Sequence, residues 1–487
     1  MENIYRNEWL DNVGKDLLSG LVVGIALIPE AIAFSLLIGI SPMYGLYASF
    51  CIAIVTSIFG GRSGMISAAT GSMALVLVGL VRDYGVEYML AATLLAGLIQ
   101  IVLGSLKVGN LLKFIPKPVM LGFVNSLAIL IFKSQLDYLF NGDITMYILT
   151  AVGIVIIYTF PKINKTIPAP LVAILLITFF TLITHTETLV IGDLGTIEGH
   201  LPLFHLANVP LTIETLEIIL PTSISLAIVG LVESLLTAKL LDEKTDTGSN
   251  KNIESIGQGL ANVVSSLFGG MAGCAMIGQS MINYKSGGRG RLSSLSAAIY
   301  LMILIVILNN YMVKIPIAAL VAVMIVVAIS TFEWITLKTI TTMPRHDAIV
   351  MVATMAIVLI TDNLAFGVVL GIVLSALFFA NHISQTLVTK TILEDRVIYK
   401  CEGQLFFAST THFVEHFDFN YECPQKIVEL DLTHLEFWDD SAGDAFDTVI
   451  SKFHNNGKKV IIKRISPKTS EVLHKSSEHF HKLEINS

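Results

Sequence analysis

Fourteen apolar runs between residues 18 and 382 constrain this chain to one kind of fold. They lie near 18–40, 45–59, 71–81, 88–106, 117–134, 145–161, 168–185, 219–241, 253–268, 276–284, 292–309, 316–334, 347–361 and 364–382. Hydrocarbon offers no partner to a backbone N–H or C=O, so such runs enter a bilayer as helices, which pair these groups internally. About 20 apolar residues make one crossing. Charged residues are 14% of the 487, against about 25% in a soluble protein. The deficit ends near residue 385, and from Lys390 the chain turns polar, in "TKTILEDRVIYKCEGQ". The reading is an α-helical polytopic membrane domain over 16–385, preceded by a cytoplasmic segment over 1–15 and followed by a small soluble domain over 393–487. The opening "MENIYRNEWLDNVGKDLL" has acidic residues where a signal peptide has a basic region and a short apolar core.

Lysine and arginine placement tests the count, because they favour cytoplasmic loops. With a cytoplasmic N-terminus and fourteen crossings, 16 basic residues fall inside: Arg6, Lys15, Arg62, Lys107, Lys113, Lys117, Lys162, Lys165, Lys239, Lys244, Lys251, Lys285, Arg289, Arg291, Lys338 and Arg345. Only Arg82, Lys133 and Lys314 fall outside, and the long outer loop 186–218 has none. A missed or extra span would scramble this partition. The chain therefore reads as a multi-pass protein of the cell (plasma) membrane with both termini cytoplasmic. Its formal charge of −7 sits in loops and tail, and no nucleic-acid partner is expected.

Two runs, 71–81 and 276–284, are too short to cross alone. Each follows a small-residue stretch, "GRSGMISAATGS" or "GGMAGCAMIGQS". They are the third and tenth runs, hence third in each half of a 7+7 division. The first and eighth runs correspond too, and each carries a glutamate near mid-depth, Glu30 and Glu233. An odd number of spans per half inserts the halves in opposite directions. Interrupted segments at matching positions of such repeats point to a transporter's substrate site. A half-helix aims unpaired N–H groups and about half a positive charge at the midplane; two such ends facing each other make an anion site. An intramembrane carboxylate is a functional candidate by default, the bland reading of Glu233 being a structural pair with a backbone donor. The first run also holds "PEAIAFS" (29–35), whose proline is expected to interrupt the helix beside a polar cavity.

Several stretches resemble the SulP family of sulfate-permease-like anion transporters. They are "IPEAIAF" in the first run, "SPMYGLYASF" (41–50), "GLVESLLTAKLLDE" (230–243) and "NYKSGGRGRLSSL" (283–295), while the tail resembles a STAS domain. The resemblance implies a 7+7 inverted repeat divided into a moving core and a scaffolding gate, an elevator-type cycle and a homodimer. It places the inorganic anion between the two half-helices, with Glu30, Phe34, Thr70, Gly71, Ser72, Gly278, Gln279 and Ser280 as substrate-binding residues. It also implies a coupling-cation site for Na⁺ at Glu233 and Thr237, which four-residue spacing puts on one helix face, completed by backbone carbonyls of Ala275 and Met276. No cofactor beyond Na⁺ or H⁺ as coupling ion is implied. Two positions depart from the family: Gln279 stands where many animal members have arginine, and Glu30 where glutamine is commoner. Both make the cavity less positive, which favours cation-coupled uptake of a singly charged anion.

Each residue has a plainer reading. Glu30 lines the substrate path or anchors a half-helix; Phe34 packs in the core; Thr70, Ser72 and Ser280 cap their half-helices; Gln279 donates to the anion or bridges helices. The leading function is Na⁺-coupled bicarbonate uptake. The alternatives are H⁺- or Na⁺-coupled symport of sulfate or a dicarboxylate and, from another class, an anion channel or voltage-responsive membrane protein. An enzyme is not expected, for lack of a nucleophile–base or metal constellation; Cys51, Cys274, Cys401 and Cys423 have no metal-ligand spacing.

In the tail, "RVIYKCEGQLFFAS", "KIVELDLTHLEFW" and "KKVIIKRI" alternate like strands, and "SAGDAFDTVISKFHNNG" is patterned as a helix. Strands alternating with helices give a small α/β domain. By resemblance, Ser441 in "DDSAGDAF" is a possible regulatory phosphosite; the plainer reading is a helix cap by Asp440 or Ser441.

Overall fold

Each of the fourteen runs is occupied by a helix: α1 Val13–Ile38, α2 Pro42–Phe59, α3 Gly71–Tyr84, α4 Val86–Ser105, α5 Lys117–Phe140, α6 Ile144–Thr159, α7 Ala169–Thr184, α8 Ile213–Thr245, α9 Lys251–Leu267, α10 Ile277–Lys285, α11 Arg291–Met312, α12 Ile317–Thr331, α13 Arg345–Thr361 and α14 Leu364–Ile383. The structure is a computed structural model that describes residues 8–110, 115–164, 168–195, 197, 199–419, 426–480 and 484–485. Arg6, Lys113, Lys165 and Cys423 lie outside these, as do the outermost parts of the 1–15 segment and of the tail. Among the described residues nine helices are long and apolar enough to cross a membrane.

The two short runs are half-helices. α3 and α10 have 14 and 9 residues, and each is entered from a three-residue strand, β1 Ser67–Ala69 or β2 Gly273–Ala275. The strands pair antiparallel, with Ala68 opposite Cys274. This pairing satisfies backbone that would otherwise be stranded away from water. It also brings the N-termini of α3 and α10 together.

The helices pack as two bundles. One contains α1 to α4 and α8 to α11 with both strands; the other contains α5, α6, α7, α12 and α13. They meet along α1 against α7 and α12, and along α3 against α5.

Pro29 does not interrupt α1, contrary to the expectation from sequence: the helix runs unbroken for 26 residues. Proline removes one N–H and one i→i−4 bond. Membrane helices tolerate this where neighbouring groups or a cavity satisfy the freed carbonyl, and Pro29 lines a cavity shared with Glu30.

The chain divides into two compact units, Met1–Ile372 and Val373–Ser487. The second unit holds a five-stranded sheet of β3 Leu387–Ile392, β4 Arg396–Leu405, β5 Ile427–Phe437, β6 Lys459–Ile465 and β7 Glu484–Ile485, in that spatial order. β3 runs antiparallel to β4 and the other pairs are parallel. With α15 Thr410–Glu415, α16 Asp440–Asn455 and α17 Pro467–Ser476, it encloses a core that includes Leu430, Phe437, Phe446 and Ile462. The cap of α16 is neither Asp440 nor Ser441. Asp439 Oδ1 accepts from Ala442 N at 3.0 Å, while its Oδ2 accepts from Phe407 N at 2.9 Å. A cap needs an extended backbone one residue before the helix, and Asp439 has it, at φ −145° and ψ 176°. Asp439→Ala should therefore destabilise the tail by about 1 kcal/mol, read as a lower denaturation midpoint. Ser441→Ala should leave that midpoint in place, and an equal loss from Ser441→Ala would reject the assignment.

Candidate functional site

The site rests on α9. Glu254, Gln258, Asn262 and Ser266 recur every fourth residue, so they share one face, and all are at most 1% exposed. Each holds backbone or a strand. Glu254 Oε2 accepts from Gly61 N at 2.7 Å and Arg62 N at 3.1 Å, fixing the turn before β1. Gln258 Nε2 donates to Ser67 Oγ at 2.6 Å, at the start of β1. Asn262 clasps Gly273, the first residue of β2: its Oδ1 accepts from the glycine N at 2.9 Å and its Nδ2 donates to the glycine O at 3.1 Å. Nδ2 also donates to Gln100 Oε1 at 2.9 Å. Ser266 Oγ donates to Leu90 O at 2.8 Å. The sequence reading took this run as an ordinary span. The polar residues at four-residue spacing were the signal it missed.

At the α3 end, Glu233 projects from α8 toward the strand pair. Its Oε2 accepts from Ser72 Oγ and, at 3.2 Å, from Cys274 Sγ. Thr70 Oγ1 lies 3.1 Å from Ser72 Oγ and 3.3 Å from Cys274 Sγ. Thr237, one turn along α8, donates to the Glu233 carbonyl at 2.8 Å, which leaves its oxygen lone pairs uncommitted to that bond. The structure thus gathers Glu233, Thr70 and Ser72, with Thr237 one turn along on the same helix face, and adds Cys274, which nothing in the cysteine spacing marks. Carboxylate and hydroxyl oxygens form the donor set that hard cations prefer, so these residues fit Na⁺. Among the described residues no three of His, Cys, Asp and Glu cluster as transition-metal ligands would. Of the proposed carbonyl donors, Met276 O already accepts from Ser280 N at 3.0 Å, while the Ala275 N–H is held by Ser234 Oγ at 3.0 Å.

At the α10 end, Gln279 Nε2 donates to Glu30 Oε1 at 2.8 Å. Both residues line a cavity of about 300 Å³ between the bundles, reaching Asn164 between α6 and α7, Val323 on α12, and Lys285 and Ser286 at the end of α10. Gly278 is exposed, and a Cβ there would meet nothing within 4 Å. At Gly71 a Cβ would come 2.8 Å from Phe34 Cε1 and 3.2 Å from Ile131 Cδ1. Only glycine allows this approach of ring to half-helix.

The expected substrate set therefore divides. Glu30 and Gln279 line the cavity. Thr70 and Ser72 turn to Glu233. Phe34, 3% exposed, covers Gly71 and is absent from the cavity lining. Ser280 Oγ accepts from Ile66 N at 3.0 Å. The capping reading of these hydroxyls is corrected: neither N-cap residue, Thr70 or Met276, caps through its side chain. The hydroxyls are spent on Glu233 and on the strands, and the helix-end N–H groups keep their capacity for an anion. For Gln279 the bridging reading is the one seen.

Comparison with known proteins agrees with this architecture. The sulfate permease family model matches residues 13–147 and 141–354, and the STAS domain model matches 387–484. YbaR of Bacillus subtilis, which bears a provisional sulfate-transporter name, is 50% identical over 469 residues, covering 96% of this chain and 98% of its own. The bicarbonate transporter BicA of Picosynechococcus is 28% identical over 424 residues, covering 79% of this chain and 74% of its own. Among solved structures, the transmembrane domain of a cyanobacterial BicA superposes with TM-score 0.66 at 26% identity, over 75% of this chain and 97% of that one. Murine Solute Carrier 26 family member A9, an anion transporter in the inward-facing state, superposes with TM-score 0.84 at 18% identity, over 98% of this chain and 90% of that one.

Proposed function

Because this chain belongs to the sulfate permease family, and so is an anion transporter rather than an enzyme, we propose that it is a cation-coupled importer of a small inorganic anion. The observation that carries this reading is a carboxylate at each of the two apposed half-helix ends: Glu233 with Ser72 at α3, and Glu30 with Gln279 at α10. The helix ends attract an anion, whereas the carboxylates repel it unless a cation neutralises them. Binding of anion and cation is then linked, which is what coupled transport requires.

Na⁺ is the coupling ion of the leading reading, held by Glu233 and Thr237 with carbonyl oxygens of Ala275 and Met276. Bicarbonate is the leading substrate, supported by the likeness to BicA. Both half-helices belong to the α1–α4 and α8–α11 bundle, so the site travels with that bundle when it slides along the α1 and α3 seam. The lysine and arginine distribution supports cytoplasmic termini and a cell-membrane location. A second reading, H⁺-coupled uptake of sulfate or a dicarboxylate, is favoured by the position of Glu30 in the cavity wall itself.

Reconstituted protein should accumulate radiolabelled bicarbonate in liposomes when an inward Na⁺ gradient is imposed. Sulfate and fumarate under Na⁺ and pH gradients test the second reading. Absence of gradient-driven uptake of all three anions would reject coupled transport.

A further inference from the structure

An ionised carboxylate only accepts hydrogen bonds, so an amide beside it must present its NH₂. That is the arrangement of Gln279, whose Nε2 lies 2.8 Å from Glu30 Oε1. The other end of the amide is left over: Gln279 is 2% exposed, and its Oε1 is buried without a partner. In this arrangement the cavity wall carries a negative charge and an unmatched acceptor, and one of the two N–H donors of Gln279 is held by Glu30.

We propose that Glu30 and Gln279 form a proton-operated amide switch that makes anion binding at the α10 end conditional on protonation of Glu30. The inference rests on the reading of this cavity as the anion site. A proton from cavity water adds to Glu30 Oε1, and the new O–H becomes a donor. The Gln279 amide turns over about its terminal torsion, a broad two-fold rotation. Its Oε1 then accepts from Glu30, and both N–H groups of Nε2 are free to donate to an anion oxygen. The O–H bond on Glu30 is the only covalent bond made, and it is broken when the proton returns to water on the opposite side with the anion. One negative charge is removed and the N–H held by Glu30 is released, so proton and anion favour each other's binding reciprocally.

The surroundings leave this charge to Glu30. Lys285, at the last turn of α10, is the other charged residue in the described lining, and its positive charge draws anions toward the cavity. The segment between α6 and α7 contributes Pro161, Asn164 and Pro168, and α12 contributes Val323, none of which titrates. Helices α2, α3 and α11 add no charged residue to the described lining. The ligand class is an oxyanion that accepts an amide N–H, carried with one proton.

The test is anion affinity against pH in the purified full chain. Sulfate is one probe, because its charge is constant across the neutral range; bicarbonate at fixed free concentration is the other. Wild-type affinity should weaken by about tenfold per pH unit above the Glu30 titration. Glu30→Gln offers Gln279 Oε1 an N–H without a proton and should bind with a flat pH profile. Gln279→Leu should bind weakly throughout. Adding either anion to wild type near neutral pH should also raise the infrared band of a protonated carboxyl, a change absent in Glu30→Gln. A flat wild-type profile with anion binding intact would overturn the switch and leave the transporter reading standing. Wild type that binds neither anion at any pH would overturn both. The wild-type profile and band require no substitution, so the test survives a variant that fails to fold.

Discussion

Glu233→Gln should abolish Na⁺-driven anion uptake while the protein remains folded. Glutamine has nearly the same shape, and its Oε1 can still accept from Ser72 Oγ and Cys274 Sγ, the two donors that hold Glu233 Oε2. What it lacks is the negative charge a cation needs. Loss of a residue that only orients a metal ligand typically lowers metal affinity 10–100-fold, so removing the charged ligand should cost about 100-fold or more. The measurement is uptake against Na⁺ concentration in proteoliposomes, with the thermal midpoint as a control for folding. An unchanged Na⁺ dependence would move the cation site away from Glu233. Cys274→Ser, which keeps a donor at that position, should retain Na⁺ dependence and so separates the hydrogen bond from the charge.

Asn262→Ala should be the most damaging change outside the cavity. The Asn262 side chain accepts from the Gly273 N–H, a bond alanine cannot make, and also donates to the Gly273 carbonyl and to Gln100 Oε1. A buried polar group left without a partner costs about 1–3 kcal/mol, so losing three such contacts should destabilise by roughly 3 kcal/mol or more. Gly273 begins β2, and β2 leads directly into α10. Uptake should therefore fall together with the thermal midpoint. Ser266→Ala, which removes a single bond to Leu90 O, should have a much smaller effect. Wild-type stability in Asn262→Ala would show that the clasp on Gly273 is not what holds β2.

The spans were legible because their cause is local. A bilayer selects length and apolarity, both of which can be counted along the chain. The half-helices were legible for the same reason: residues 71–81 and 276–284 are too short, and the small residues before them mark extended backbone. The tail's central strands and long helix followed from alternation and helical period. At the site, Glu30, Glu233 and Gln279 were candidates by chain position, and the structure gives each a polar partner. Phe34 covers Gly71, at the head of α3, and does not line the cavity that Glu30 and Gln279 share. The α9 stripe was legible in its four-residue polar spacing, but neither that spacing nor a thiol in a small-residue stretch shows which atoms Asn262 or Cys274 will face.

By itself, therefore, the amino-acid sequence determined the number of helices, the two places where they break, and the carboxylates put at those depths. Only the tertiary structure decided which polar atom meets which. Gln279 and Glu30 are 249 residues apart, and Asn262 and Gln100 are 162 apart. Such partners are chosen by how helices rotate and pack. Hydropathy records that a face is buried, and packing alone sets the direction in which a buried amide or carboxylate points.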